Sequence, residues 1–408
     1  VILGNEHDLE VYMSILKGAL SATPYRVGTI GDGEVPTLSN DQLLDGLRSY
    51  AFRERELQNT EPVFGWCSAN SVIETSFEDI NDCILDRYVL FSLRQDRKRI
   101  PTKLFKALLQ QRVKAWCEEN GRQRCPSSTR GEIKELLEFE MVQKADTDVK
   151  AWDVLWNTEQ GWVLFDSSAQ GTNERFTKLF FETFGVVLRS VTPLDLPEDD
   201  LLRGRAMVTG GLDYRPGQPL VSQDTSSAPP MNISDQEDTP TLPHLAYEFL
   251  LWLWWKTEVQ CTDIEVPGIE GKVDAWTEGR VVMCAPDADK ATTTVTGENP
   301  CAAPECRRAM EHGKLPCELK VSLRRDDREF ATVLRTPDLH PRSIRLPQVV
   351  SGADEEALYD RMFLFEELRD ILSKLFTWFL SMRVQSDWIA GDGADIKAWL
   401  AKEESEQE

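Results

Sequence analysis

Histidine is scarce in this sequence. There are four in 408 residues, His7, His244, His312 and His340, each in a segment that reads as loop or flank. Most imidazole-based catalysis goes with them, and neither a nucleophile elbow nor a phosphate-cradling P-loop takes its place. Long apolar runs are missing as well. A membrane span needs roughly 18–20 apolar residues. The nearest stretch, 247–255, is about half that length and ends at Lys256, so it reads as a buried helix. The first residues, Val-Ile-Leu-Gly-Asn-Glu-His-Asp, are acidic where a secretory signal would be basic. Nine cysteines, an odd number without framework spacing, fit a reducing cytoplasm. The chain does not begin with Met, and Met13 opens Met-Ser-Ile-Leu-Lys-Gly in the manner of a natural start. Residues 1–12 are therefore expected to be upstream or vestigial sequence.

Positive charge is also in deficit. Lys and Arg number 46 against 69 Asp and Glu, a formal charge of −23. A protein of that balance does not coat nucleic acid with its whole surface, although a local basic site stays open to it. Acidity elsewhere would then repel a polyanion from every other face. The 41% hydrophobic and 28% charged content is that of a globular chain, and its length calls for two or three modules.

The periodicity predicts an α+β fold of mixed sheet and helix modules. A first strand at 25–30 ends at Gly31-Asp32-Gly33, and a capping box at Ser39–Gln42 starts a helix over 40–53. A strand at 87–93 is apolar enough to be covered on both faces. Pro101 then opens a helix to Glu118 with Gly121 as its stop, and Ser128 caps a second over 128–144. Strands at 151–156 and 162–166 form a hairpin. Asn173 caps a helix carrying Phe176, Leu179, Phe180 and Phe184, Gly185 ends it, and 186–191 returns as a strand. Residues 197–243, rich in Pro, Gly and Ser, read as a linker or long loop. Beyond the aromatic helix at 245–257, strands are expected at 272–277, 280–284, 318–324 and 329–334. A long helix follows over 354–383, with Arg369, Lys374 and Arg383 exposed towards its end. The division is thus an extension (1–24), an α+β region (25–196), the linker (197–243), a second α+β region (244–400) and an acidic tail (401–408).

One segment reverses the charge of the whole. Residues 94–134 hold twelve Lys or Arg and four Asp or Glu, a net of +8, which leaves −31 for the remainder. At 100° per residue, Lys103, Lys106, Gln110 and Lys114 share one strip of their helix, and Leu104, Phe105, Leu108, Leu109, Val113 and Trp116 form the core-facing side. Arg94, Arg97, Lys98 and Arg99 sit just upstream, at the strand-to-helix connection. Clustered cations without base-reading geometry suit phosphate neutralisation. They suit an acidic protein partner equally well.

Several of these stretches, in order, resemble the RdgC family of recombination-associated proteins. The resemblance is carried by Leu43 to Phe52 with Phe64-Gly65-Trp66, by Leu90 to Pro101 ending Asp96-Arg97-Lys98-Arg99-Ile100-Pro101, and by Arg130-Gly-Glu-Ile-Lys134. Trp152 to Asp166 and Phe176 to Pro193 complete it. It covers about residues 25–195, and the C-terminal half looks like a divergent branch. The resemblance implies a cytoplasmic, nucleoid-associated protein that binds double-stranded DNA without sequence preference. It also implies a ring-shaped homodimer, restraint of RecA-driven strand exchange, and neither cofactor nor catalytic centre. Arg97, Lys98, Arg99 and Lys103 match a basic turn of the family, and Arg130 and Lys134 its charged helix. The DNA-binding candidates are thus Arg94, Arg97, Lys98, Arg99, Lys103, Lys106, Lys114, Arg130 and Lys134.

Two rival chemistries have residues of the right type. Pro286-Asp287 with Glu318-Leu319-Lys320 has the composition of a Mg²⁺-dependent nuclease site, in which Asp287 and Glu318 hold the metal and Lys320 positions water. Cys301, Cys306, His312 and Cys317 could ligate zinc, but no pair has the close spacing of a knuckle. Trp252, Trp254 and Trp255 could stack bases, though their spacing favours a core or an interface.

Overall fold

A computed structural model describes residues 20–28, 37–54, 59–78, 80, 83–215, 218–220, 242–285, 291–348 and 354–401. Met13, Gly31-Asp32-Gly33, most of the Pro-rich segment and the tail from Lys402 lie outside the described residues. The elements divide between two compact units. Val27–Phe165 with Gln170–Leu188 belongs to the first, and Asp166–Ala169 with the chain from Arg189 belongs to the second, together with the described residues up to Arg26.

The N-terminal elements run β1 (Thr23–Gly28), α1 (Asn40–Ser49), β2 (Val63–Cys67), β3 (Ile84–Leu85), β4 (Tyr88–Lys98), α2 (Thr102–Glu119), α3 (Ser127–Lys144), β5 (Thr147–Asn157), β6 (Trp162–Phe165), α4 (Gln170–Phe184) and β7 (Val187–Ser190). Their sheet has the order β2-β4-β5-β6-β1-β7, with β3 paired to β4. The capping box starts α1 as its residues demand: Gln42 N donates to Ser39 Oγ at 3.3 Å, and Ser39 N donates back to Gln42 Oε1 at 2.9 Å. α1 and α4 pack together, and α4 lays Phe176, Phe180 and Phe184 against Trp66, Phe91 and Trp156. Gly185 ends α4 at φ +70° as expected. Gly65 is required by a close approach, since a Cβ there would lie 2.4 Å from Phe52 Cα. Several expected boundaries shift. α1 stops at Ser49, β4 runs on through Lys98, and α4 begins at Gln170, so that Asn173 lies inside the helix it was expected to cap.

The second unit contains α5 (Asp200–Met207), α6 (Pro243–Val259), β8 (Asp274–Cys284), β9 (Thr292–Gly297), α7 (Pro304–Glu311), β10 (Leu315–Arg325), β11 (Arg328–Arg335), β12 (Arg342–Arg345), α8 (Asp354–Arg383) and α9 (Asp392–Ala401). Its antiparallel sheet has the order β12-β11-β10-β8-β9. The expected strands at 272–277 and 280–284 are one strand, β8, carried through a bulge where Gly279 takes φ +76°. The segment read as linker is also partly folded. Asp199 caps α5, and Leu202, Ala206, Leu212 and Tyr214 are buried. Among the described residues no helix is long and apolar enough to cross a membrane.

α6 packs on β8 and β10 and is buried nearly all round, so Trp252, Trp254 and Trp255 are core residues. Cys284 and Cys317 form a disulfide between β8 and β10, a pairing that no spacing in the sequence disclosed. Arg383 also departs from expectation. Its side chain is 5% exposed and forks onto Glu248 of α6, 1% exposed, while Nη2 donates to Gly210 O at 2.7 Å. Leu212 N and Tyr214 Oη donate to the same carboxylate at 3.0 and 3.4 Å. Losing one partner of so enclosed a pair strands the other charge in the interior. Glu248→Ala is therefore expected to destabilise this unit by about 3–5 kcal/mol. Urea unfolding followed by tryptophan fluorescence checks this, and an unmoved midpoint would contradict it.

Candidate nucleic-acid interface

β4 and β5 are paired over eleven consecutive residues, from Tyr88↔Asn157 to Lys98↔Thr147. The chain leaves the far end of this ladder at Lys98, makes α2 and α3, and returns as β5. The basic segment is thus a helical hairpin inserted between two paired strands. Near the core the ladder is closed on both faces, with Tyr88 to Leu93 all buried. Towards the hairpin it opens and becomes charged.

Alternation along β4 divides its cations. Arg94 shares a face with Ser92 and Asp96. Its Nε and Nη2 donate to the two oxygens of Asp96 at 2.7 and 2.6 Å, Nη1 donates to Val72 O at 2.8 Å, and the guanidinium lies 4.1 Å from the Phe52 ring centre. The hydrogen bonds of Asp96 hold the Arg94 proton more firmly than usual. Arg94 is thereby withdrawn from the DNA-facing set, because its charge is neutralised inside the fold. The same buried face holds Cys67, whose thiol burial pushes up to about 12. Arg97 is on the opposite face, exposed, with Nε donating to Thr60 O at 3.1 Å. It is a strand residue and not part of a loop. The cross-strand register places Lys150 on that face too, since it pairs with Gln95. Sequence reading missed Lys150, which only strand pairing brings near Arg97. Lys98 is half-buried, and Arg99 meets Asp148 at 2.6 Å while staying 63% exposed.

α2 presents its cationic strip as predicted. Lys103, Lys106, Gln110 and Lys114 are all exposed. Lys114 approaches Glu118 at 3.7 Å, whereas Lys103 and Lys106 have no acidic partner among the described residues. The opposite side was expected to enter a core, and it does not. No residue of α2 is buried, and Leu104 is 51% exposed. The helix packs against α3, and two helices standing together cannot enclose each other's apolar sides. On α3, Leu137 and Val142 are buried while Leu136 and Phe139 are exposed. Arg130 and Lys134 are exposed on α3 without acidic partners among the described residues. Arg122 and Arg124, which also escaped the candidate set, lie in the turn between the helices.

Both helices begin at a proline with no side-chain cap, Pro101 for α2 and Pro126 for α3, and neither has an acidic residue in its first turn. The expected cap at Ser128 is thus displaced by Pro126. Uncapped N-terminal amides add partial positive charge at one end of each helix.

Among the described residues, the candidates for the two rival chemistries do not come together. Lys320 Nζ donates to Glu278 Oε1 at 2.5 Å, and Ser322 Oγ reaches the same oxygen at 3.1 Å. Those bonds hold the Glu278 carboxyl below its usual range. Glu318 meets Arg280 at 3.5 Å, and Asp287 lies outside the described residues. Of the zinc candidates, Cys317 is in the disulfide and Cys301 accepts from Thr277 Oγ1 at 3.2 Å. Burial pushes the Cys306 thiol up to about 11. Among the described residues no three His, Cys, Asp or Glu side chains come together as a metal-binding group.

Arg112 clamps α2 to α3, its Nη2 donating to Glu140 Oε2 at 2.6 Å and Nη1 to Oε1 at 3.2 Å. That fork holds the Glu140 carboxyl below its ordinary value. A depressed carboxyl contributes stability above its unfolded pKa and loses it as pH falls through the folded one. Acidifying through the carboxylate range is therefore expected to lower the amide protection factors of α2, taken against the intrinsic exchange rate at each pH, about two- to threefold, an effect small because the pair is exposed. Arg112→Gln should already show lower protection at neutral pH, and its protection should respond less to acid. Equal acid responses in the two proteins would remove the clamp.

Comparison with known families adds one match. Residues 25–200 match the family model described as "Putative exonuclease, RdgC". No curated protein matches the chain. The matched segment contains the ladder, the hairpin and the aromatic core beneath them, and over that part of its length the chain is similar to the RdgC family.

Proposed function

We propose that the charged end of the β4–β5 ladder and the α2–α3 hairpin bind the phosphate backbone of double-stranded DNA without sequence preference, and that the protein acts on DNA without cleaving it. The observation that carries this reading is the strip of Lys103, Lys106 and Lys114, exposed along one helix in a chain whose formal charge is −23. A helix without acidic residues in its first turn points its free amides towards the same kind of ligand. Mobile lysines supply charge and little directional hydrogen bonding, which neutralises phosphate and leaves bases unread. The resemblance of residues 25–200 to the RdgC family supports the same partner. Assembly as a ring-like homodimer, association with the nucleoid and restraint of RecA complete the proposal, and they rest on the family resemblance.

Lys103→Glu, Lys106→Glu and Lys114→Glu together are expected to weaken binding to unrelated 30–50 base-pair duplexes alike, by about tenfold or more at moderate salt. The log–log slope of affinity against salt should fall by about 3. Fluorescence anisotropy across a salt series measures both quantities. Unchanged affinity would remove the hairpin as the site, and loss confined to one sequence would remove the backbone reading. Degradation of the duplex by the unmodified protein in Mg²⁺ would overturn the non-enzymatic part.

A further inference from the structure

The second unit holds a cationic surface of its own. Residues paired across an antiparallel sheet share a face. One face of the β12-β11-β10-β8-β9 sheet carries Leu319, Val321 and Leu323 into the core, where α6 packs on β8 and β10. The other face is set by the register. Glu318 pairs with Arg335, Lys320 with Val333 and then Arg342, and Ser322 with Ala331 and then Arg345. Arg345, Arg342 and Arg335 therefore border a shallow floor made by Ala331 and Val333. The irregularity between β11 and β12 keeps both β12 arginines on that side, since Arg342 lies opposite Val333 and Arg345 opposite Ala331.

These arginines are not used up by the fold. Arg335 and Arg345 are exposed and make no ion pair among the described residues, the carboxylate opposite Arg335, Glu318, meeting Arg280 at 3.5 Å. Arg342 approaches Asp338 only at 3.7 Å, and its buried Nε has no acceptor among the described residues. Elsewhere on the face the cations are neutralised: Arg324 by Asp274 at 2.6 Å and Lys320 by Glu278. Excess positive charge is thus confined to the β11–β12 border.

We infer that this border is a second nucleic-acid contact, in which Arg335, Arg342 and Arg345 hold phosphodiesters of one strand at every second position along its axis. The inference rests on the DNA-binding reading above. Strand geometry supports the ligand class. Side chains on one face recur at about 7 Å, twice the rise of an extended residue. That is also about twice the 3.4 Å axial rise per phosphate on one nucleic-acid strand. Guanidinium groups grip phosphate oxygens through paired donors, so three in a row hold a backbone and read no sequence.

The full chain with Arg335→Glu and Arg345→Glu tests this, alongside Arg335→Gln and Arg345→Gln as a milder pair at exposed positions. Both pairs should leave the thermal unfolding midpoint in place. The expected result is a salt slope lower by about 2 and an affinity for random duplex lower by about tenfold, with the Gln pair showing the same loss of slope. The same measurement on oligo-dT separates single strand from duplex, and a loss on either supports the contact. If both arginine pairs bind both nucleic acids as the parent does while the Lys103/Lys106/Lys114 variant fails, this inference falls and the hairpin reading stands. If the parent binds neither nucleic acid, both fall.

Discussion

Eleven consecutive residue pairs zip β4 to β5, and the placement of the cationic hairpin depends on that ladder. One end of it is sunk in aromatic packing, with Phe91 and Trp156 on the same face and Phe184 against both. The other end emerges with Arg97 and Lys150 exposed. Each residue in such a ladder orients its neighbour, because a slip of one would turn Phe91 and Trp156 to the wrong face. The hairpin joins the two strands and is held at both ends by it. Two helices with few buried residues can therefore stand as a defined element, since the sheet supplies the stability that their own packing lacks.

This arrangement explains what could and could not be read from the chain alone. Local signals were legible where one residue type has one mechanism: Ser39 with Gln42 at the start of α1, Gly185 at the end of α4, and the 3- and 4-residue spacing that marks α8 as a helix over Asp354–Arg383. The strip of Lys103, Lys106 and Lys114 was legible for the same reason, because helical geometry alone settles which residues share a side. The fate of the opposite side was not. Leu104, Phe105 and Leu108 look the same in sequence whether their helix meets a closed core or a single partner helix, and here the helix packs on α3 with none of its residues buried.

Non-local pairing accounts for the remaining differences. Arg94 and Arg97 are indistinguishable by composition, and only the alternation of β4 sends one onto Asp96 and the other to solvent. Arg383 looked like an exposed cation near the end of a helix, yet its partner Glu248 is 135 residues away in sequence. Cys284 and Cys317 are 33 apart and meet because β8 and β10 are neighbours. In each case the charge or thiol is assigned by a strand register or a helix packing that no short window contains.

The acidity of the chain then acquires a physical role. A basic surface on a neutral protein attracts polyanions and leaves the other faces indifferent, whereas the same surface on a strongly acidic protein is bordered by repulsion. Net negative charge outside 94–134 disfavours any pose in which phosphate approaches a face other than a cationic one, which is orientation without sequence reading. It also weakens long-range attraction, so contact forms only where unpaired cations are dense enough to prevail at close range. Neutralised residues such as Arg94, Lys320 and Arg324 contribute nothing to that local excess. What decides binding on such a molecule is therefore which lysines and arginines the fold has left unpaired, and the total of 46 says little about it.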